Sequence, residues 1–338
     1  QFGDGTTKSS LKPVQIKGLS KVKSIAAGNA HVVILKTDGT VWTWGYNNYG
    51  QLGNATTKSS VKPVQVKGLS KIKAVAAGQY HSLAVKSDGT LLAWGNNQYR
   101  QLGDGTVVNR ATPVQVKGLT GVIAVAAGYY HSLAITKDGS LWTWGDNRYG
   151  QMGDGTADPK ETPVQHPWLT NIVSIDADAG YTAAVKNNGS VWVWGNDTTK
   201  KIDSNSYGFP SEPVKVQNLK DITYATVNVT KTVNFTALKK DGTVVTWVLN
   251  KTAQQVKGLT GITDITAGSS HMLALKKDGS LWAWGANESG QLGDGTGKAK
   301  TTPVKIPNIS LGTAPAASPK PTAKPSPKPT AKPTPKKK

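Results

Sequence analysis

Cysteine is absent from the 338-residue chain, which excludes a disulfide framework, a thiol nucleophile and a zinc–thiolate site. No run of 18 apolar residues occurs, so no membrane-spanning helix is encoded. A cleavable leader is not visible either, although the chain opens at Gln1 rather than at methionine. Acids are scarce: 20 Asp and Glu stand against 40 Lys and Arg, a formal charge of +20. Residues 311–338 hold seven lysines and no acid, which leaves +13 for the remainder. A chain without cysteine and with a basic, proline-rich end has the composition of exported bacterial proteins. An extracellular or cell-wall-associated bacterial location is therefore expected, with a signal peptide upstream of Gln1.

Helix-length apolar stripes are also missing, and what replaces them is a repeat. Ala26-Ala27-Gly28, His31, Asp38-Gly39 and Trp42-Thr43-Trp44-Gly45 return as Ala76-Ala77-Gly78, His81, Asp88-Gly89 and Trp94-Gly95. They return again as Ala126-Ala127-Gly128, His131, Asp138-Gly139 and Trp144-Gly145, each 50 residues on. A period of this length without helices means stacked all-β units, which close into a β-propeller. Within one unit, residues 72–77, 81–86 and 91–94 read as three strands, the second and third joined by an Asp-Gly type I′ turn. Pro113 through Lys117 reads as a fourth, outer strand, where proline need not donate every ladder bond.

Segments of the fourth type begin near Pro13, Pro63, Pro113, Pro163, Pro213, Gln254 and Pro303, one more than the first-to-third sets beginning near Leu19, Leu69, Leu119, Leu169, Leu219 and Leu259. The count predicts a seven-bladed propeller of four-stranded blades whose first blade is incomplete in this chain. The alternative is a closed six-bladed ring with a spare strand. On the first account residues 1–309 form the propeller, six full repeats plus a partial N-terminal one. Residues 310–338 form a disordered Pro/Lys-rich tail or linker, because eight prolines between Pro315 and Lys338 forbid helix and sheet and the lysines repel one another.

Most residues with chemical potential sit on the repeat and read as scaffold. His31, His81, His131 and His271 share one position at the start of the second strand. A metal ring would need them to converge, whereas equivalent positions lie around a wide channel, so each is expected to bond backbone in the next blade. Aspartates of the Asp-Gly pairs are turn formers. Asp4, Asp104, Asp154 and Asp294 lie in Gly-Asp-Gly-Thr loops with one carboxylate per loop, too few for a hard cation. The glycine loops precede no helix and lack the phosphate-cradling pattern. Trp44, Trp94, Trp144, Trp194, Trp247 and Trp284 are expected to pack between blades. No catalytic residue, cofactor or metal ligand is assigned, and no acid pair for glycoside hydrolysis is evident.

Antiparallel order puts the first–second and third–fourth loops on one face. There the units differ from one another and carry Tyr46, Tyr49, Tyr80, Tyr99, Arg100, Tyr129, Tyr130, Arg148 and Tyr149, the candidate partner-binding residues. The opposite face collects lysines, among them Lys21, Lys71, Lys73 and Lys86, which suit either solubility or a polyanion. Two units depart from the pattern. In the fourth, Asp178 replaces glycine, Tyr181 replaces histidine, and the loop from Asp197 to Phe209 is irregular; the fifth has lost ten residues and reads Trp247-Val248. This sector is either drift or remodelling for a partner.

The Ala-Ala-Gly-x-x-His-Ser-Leu-Ala, Asp-Gly and Trp-Gly-x-Asn-x-x-Gly-Gln-Leu-Gly runs, as at Ala126–Ala134, Asp138-Gly139 and Trp144–Gly153, resemble the regulator of chromosome condensation 1 (RCC1) repeat family over all but the tail. With the composition, the resemblance implies a bacterial RCC1-like β-propeller. Members of that family include guanine-nucleotide exchange factors for a small nuclear GTPase, ubiquitin-ligase chains and a secreted bacterial β-lactamase inhibitor. The repeat motif is scaffold, so no exchange residue carries over. The resulting expectation is a non-enzymatic, monomeric, secreted or cell-surface scaffold that binds an unidentified protein through its loop face. Lys320, Lys324, Lys328, Lys332, Lys336, Lys337 and Lys338 would tether it to an anionic polymer, teichoic acid or nucleic acid. The alternative is a guanine-nucleotide exchange factor or chromatin-associated regulator of a small GTPase.

Overall fold

The structure, a computed structural model, describes residues 2–195, 201–202, 206–207, 212–229, 232–248 and 251–311. Six four-stranded antiparallel sheets follow one another along the chain, each with its strands in sequence order. Blade 1 comprises Val22–Ala27, His31–Lys36, Val41–Gly45 and Ser60–Gln65; blade 2 comprises Ile72–Ala77, His81–Lys86, Leu91–Gly95 and Arg110–Gln115. Blade 3 comprises Val122–Ala127, His131–Thr136, Leu141–Gly145 and Lys160–Gln165, and blade 4 comprises Ile172–Asp178, Tyr181–Lys186, Val191–Gly195 and Val214–Lys215. Blade 5 is Ile222–Val229, Val233–Lys239, Val244–Val248 and Gln254–Gln255, and blade 6 is Ile262–Ala267, His271–Lys276, Ser280–Gly285 and Lys300–Ser310. Residues from the first strand of all six blades line a common cavity of about 530 Å³. Those strands are therefore innermost.

Among the described residues the expected seventh blade is not there: the four-stranded sheets number six. The segment at Pro13 precedes any third strand it could pair with, and a strand without a neighbour makes no ladder. It serves instead as a strap between blades 6 and 1. Gly295 N–H donates to Leu11 O at 2.9 Å on one side, and Gly5 N–H donates to Val61 O at 3.0 Å on the other. The alternative weighed from the sequence, six blades and a spare segment, matches the sheet count.

The core lies between blades rather than within one. Val33, Leu35 and Val41 of blade 1 pack on Ile72, Ala84 and Trp94 of blade 2. Leu83, Val85 and Leu91 of blade 2 meet Val122, Ala134 and Trp144 of blade 3. Leu133, Ile135 and Leu141 of blade 3 meet Ile172, Ala184 and Trp194 of blade 4 in the same way. Alternation decides this: successive strand residues face opposite neighbours, so both faces of every blade must be apolar. The Asp-Gly hairpins differ from the expected type I′ geometry. Only the glycine has positive φ, 79° at Gly39 and 90° at Gly89. Asp38 instead accepts from the Thr40 N–H at 2.9 Å, the arrangement of a type I turn closed by a left-handed glycine.

Candidate functional site

The third–fourth loops of blades 1, 2, 3 and 6 are each built around an asparagine that sequence reasoning passed over. Asn97, fully buried, donates through Nδ2 to Asp104 Oδ1 at 3.0 Å and Thr106 O at 2.9 Å, and its Oδ1 accepts from Leu102 N–H at 2.9 Å. Asn47, Asn147 and Asn287 repeat the pattern. The signal was present, an Asn at the same place in each well-formed loop. The Asp104 carboxylate is spent on Asn97, Thr106 and Arg110, which explains the Gly-Asp-Gly-Thr sequence without a cation. The loops are fixed to the neighbouring first–second turn as well: Tyr46, Asn96 and Asp146 N–H groups donate to Ala30, Tyr80 and Tyr130 carbonyls at 2.7, 2.8 and 2.9 Å.

On this rigid base the tyrosines converge. Ring centroids of Tyr49 and Tyr80 lie 5.1 Å apart, with Tyr46 at 5.7 Å from Tyr80 and 6.3 Å from Tyr49. One blade further on, Tyr99 and Tyr130 are 4.3 Å apart and Tyr129 is 6.3 Å from Tyr130. Arg148 stacks over Tyr99 at 4.8 Å and near Tyr149 at 5.9 Å, and a two-pronged bond to Asp146 at 2.8 and 3.0 Å orients it. That carboxylate holds the guanidinium well above its ordinary value. Burial pushes the phenols of Tyr129 and Tyr130 up, and the nearby Tyr99, Tyr80 and Tyr49 push Tyr130 further in the same direction. Eight of the nine candidate residues thus form one strip across blades 1–3. Arg100 does not join it; its Nε donates to Glu161 at 3.2 Å, toward the outer strand of blade 3. The tail lysines, Lys320 to Lys338, lie outside the described residues, as does most of the loop from Asp197 to Phe209.

The histidines bond side chains, not the backbone expected. His31, His81 and His131 reach Ser82, Ser132 and Thr182 of the next blade through Nε2 at 2.9, 2.9 and 3.2 Å. Those hydroxyls donate in turn to the carbonyls of Gln51, Gln101 and Gln151. A hydroxyl has one proton, so Nε2 must be the donor and the unprotonated Nδ1 has no partner. An activated nucleophile needs the opposite tautomer, so these His–Ser pairs are latches between blades. Burial lowers the imidazoles to about 4, 3 and 4 and keeps them neutral.

The latch is absent between blades 4 and 5, and the two departures noted in unit 4 prove to be one change. A side chain on Gly78 or Gly128 would collide with the histidine ring of its own blade. Tyr181 removes that ring, and Asp178 takes the freed position. Asp178 Oδ2 then accepts from Val229 N–H at 3.1 Å, while Asp176 Oδ2 accepts from Val227 N–H at 3.1 Å and Thr226 Oγ1 at 2.6 Å. Two carboxylates clasp the unpaired edge of the blade 5 inner strand. Burial raises Asp176 to about 6, with Asp178 adding to the shift. A carboxyl that binds its proton more tightly folded than unfolded stabilises the fold at low pH, and that stabilisation fades as pH rises from about 4 to about 6. Asp176→Asn stays neutral, so its stability should fall less over that window than wild type's, Asp178 alone keeping its burial-raised carboxyl. At pH 7 the variant is expected to match or exceed wild type by on the order of 2 kcal/mol in urea unfolding.

The RCC1-like domain family matches residues 1–233, and RCC1 repeats match residues 262–291 and 278–313. Human WBSCR16 superposes with a TM-score of 0.74 at 24% identity, over 85% of this chain and 82% of that one. Yeast RCC1 (Prp20), solved bound to Kap60, superposes at 0.72 and 18% identity, over 85% and 75%. Saccharomyces cerevisiae Prp20p, described with its binding to Gsp1p and histones, superposes at 0.69 and 19% identity, over 88% and 83%. Ras guanine nucleotide exchange factor C of Dictyostelium discoideum is 53% identical over 34 residues, 10% of this chain and 2% of that protein's length. These relatives are human, yeast and Dictyostelium proteins, which overturns the bacterial assignment and the extracellular, cell-wall location drawn from composition. They also correct the expected partners. The yeast relative is described with Kap60, Gsp1p and histones, defined proteins in place of an unidentified one or a teichoic-acid polymer. Absence of cysteine and a basic tail are compositional traits with no lineage attached to them.

Proposed function

The chain belongs to the RCC1-like domain family, and on that premise we propose that it is a non-enzymatic scaffold that regulates a small GTPase through its tyrosine-lined loop face. The observation that carries the reading is the strip from Tyr46 to Tyr149. Half-buried aromatic rings and an oriented arginine, mounted on loops pinned by buried asparagines, are the composition of protein-binding hot spots. Its mounting supports the same role, since a face held rigid by Asn97 and its equivalents loses little entropy on association. Support for the partner class comes from the yeast relative described with Gsp1p and from the short match to a Ras exchange factor.

The test is nucleotide release. Purified Gsp1p loaded with a fluorescent GDP analogue is mixed with the full chain and excess GTP. The proposal expects release to accelerate at least roughly tenfold at saturating chain, a barrier change of about 1.4 kcal/mol. Release at the intrinsic rate, with no complex formed, would refute it.

A further inference from the structure

Resting on that reading of the loop face, we propose that Tyr49 and Tyr80 form a receptor for one arginine side chain of the protein partner. The two tyrosine pairs repeat one geometry a blade apart, Tyr49 with Tyr80 at 5.1 Å and Tyr99 with Tyr130 at 4.3 Å. Over one ring of the second pair the chain places its own guanidinium: Arg148 lies 4.8 Å from the Tyr99 ring and 5.9 Å from that of Tyr149. Asp146, two residues earlier, fixes it there through both oxygens. The repeat puts Gln98 where Arg148 stands and Asn96 where Asp146 stands. Blade 2 therefore brings no cation to the first pair. Gln98 is turned back onto Asn96, its Oε1 accepting from Asn96 Nδ2 at 3.4 Å, and Asn96 is itself buried and bonded to Gln101 at 2.6 Å. Arg100, the nearest arginine in sequence, is engaged with Glu161.

Blades 2 and 3 thus display the same aromatic platform with its cation in place, and blades 1 and 2 display it with the cation omitted. Guanidinium is the chemistry the occupied copy selects: planar, weakly hydrated and able to stack on a phenol face while its edge hydrogen-bonds. Electrostatics set a further condition. The chain carries +20, so a free cation is repelled at long range and held only by contact. Added salt screens the repulsion and should strengthen this contact, the reverse of an ordinary ion pair.

The experiment uses uncharged-ended pentapeptides with arginine, lysine or norleucine at the centre and glycine elsewhere, titrated against the full chain with ring-labelled tyrosine by NMR. Arginine is expected to shift the Tyr49 and Tyr80 ring signals and to bind roughly five- to thirtyfold more tightly than norleucine, with lysine between them. Asn96→Asp with Gln98→Arg supplies the missing internal cation and should abolish the arginine preference. Tyr49→Leu keeps apolar bulk without the ring and should abolish it too, which protects the test if the double variant folds poorly. Equal binding of arginine and norleucine would overturn the proposal and make the pair a plain apolar contact. So would an arginine preference untouched by both variants. If Gsp1p still binds while the arginine preference is absent, this site is wrong and the loop-face reading stands; if neither binds, both fall.

Discussion

Trp144→Ala should remove about 4 kcal/mol of folding stability, enough to consume a large part of the total for a domain of ordinary stability. Trp144 is fully buried on the third strand of blade 3, against Leu83, Val85 and Leu91 of blade 2. Its Nε1 also donates to the Gln101 carbonyl at 2.9 Å. Truncation opens a cavity at the interface between two blades, and rigid sheets on both sides cannot collapse into it. The carbonyl keeps one partner, because Ser132 Oγ donates to it at 2.8 Å, so the loss is mainly of packing. Trp142, two residues earlier and only partly buried, gives the internal comparison. Its replacement should cost roughly half as much. Urea unfolding followed by circular dichroism distinguishes the two, and equal costs would mean that the inter-blade contacts are not the core.

Tyr129→Ala combined with Tyr130→Ala should weaken partner binding at least roughly a hundredfold, while lowering stability by less than about 2 kcal/mol. Tyr129 lines the central cavity, and its N–H is anchored to the Ala179 carbonyl of blade 4 at 2.9 Å. Tyr130 contacts Tyr99, which in turn carries Arg148. Removing both rings empties the centre of the strip and leaves Tyr99, the ring that carries Arg148, without its ring partner. A loss of affinity matched by a comparable loss of stability would mean that the tyrosines are only packing.

Much of this could be read from the residues alone, for a physical reason. Strand alternation, Asp-Gly turns and a 50-residue period are local properties, so four strands per unit and the identity of each face followed from them. Sorting the loops by antiparallel order placed eight of nine candidate residues on one surface. What failed was whatever depends on the neighbouring blade. Histidines were given backbone partners because the hydroxyl that meets each one is 51 residues away. Asp178 and Tyr181 looked like independent departures until a single steric exchange joined them, and Asp176 was not singled out at all. The blade count failed because a strand-like sequence at Pro13 has no third strand to pair with. Bacterial origin and the cell-wall location rested on composition alone, which carries no positional information.

The most direct test of the central claim, that the tyrosine loop face is the partner-binding surface, is the affinity of the full chain for Gsp1p by calorimetry in three forms. These are wild type, Tyr129→Ala with Tyr130→Ala, and Lys71→Glu with Lys73→Glu on the opposite face. The account predicts a complex with wild type, a loss of at least roughly a hundredfold for the tyrosine variant, and a change of no more than a few-fold for the lysine variant. A complex that survives the tyrosine changes and is lost with the lysines would contradict it, and so would no complex at all.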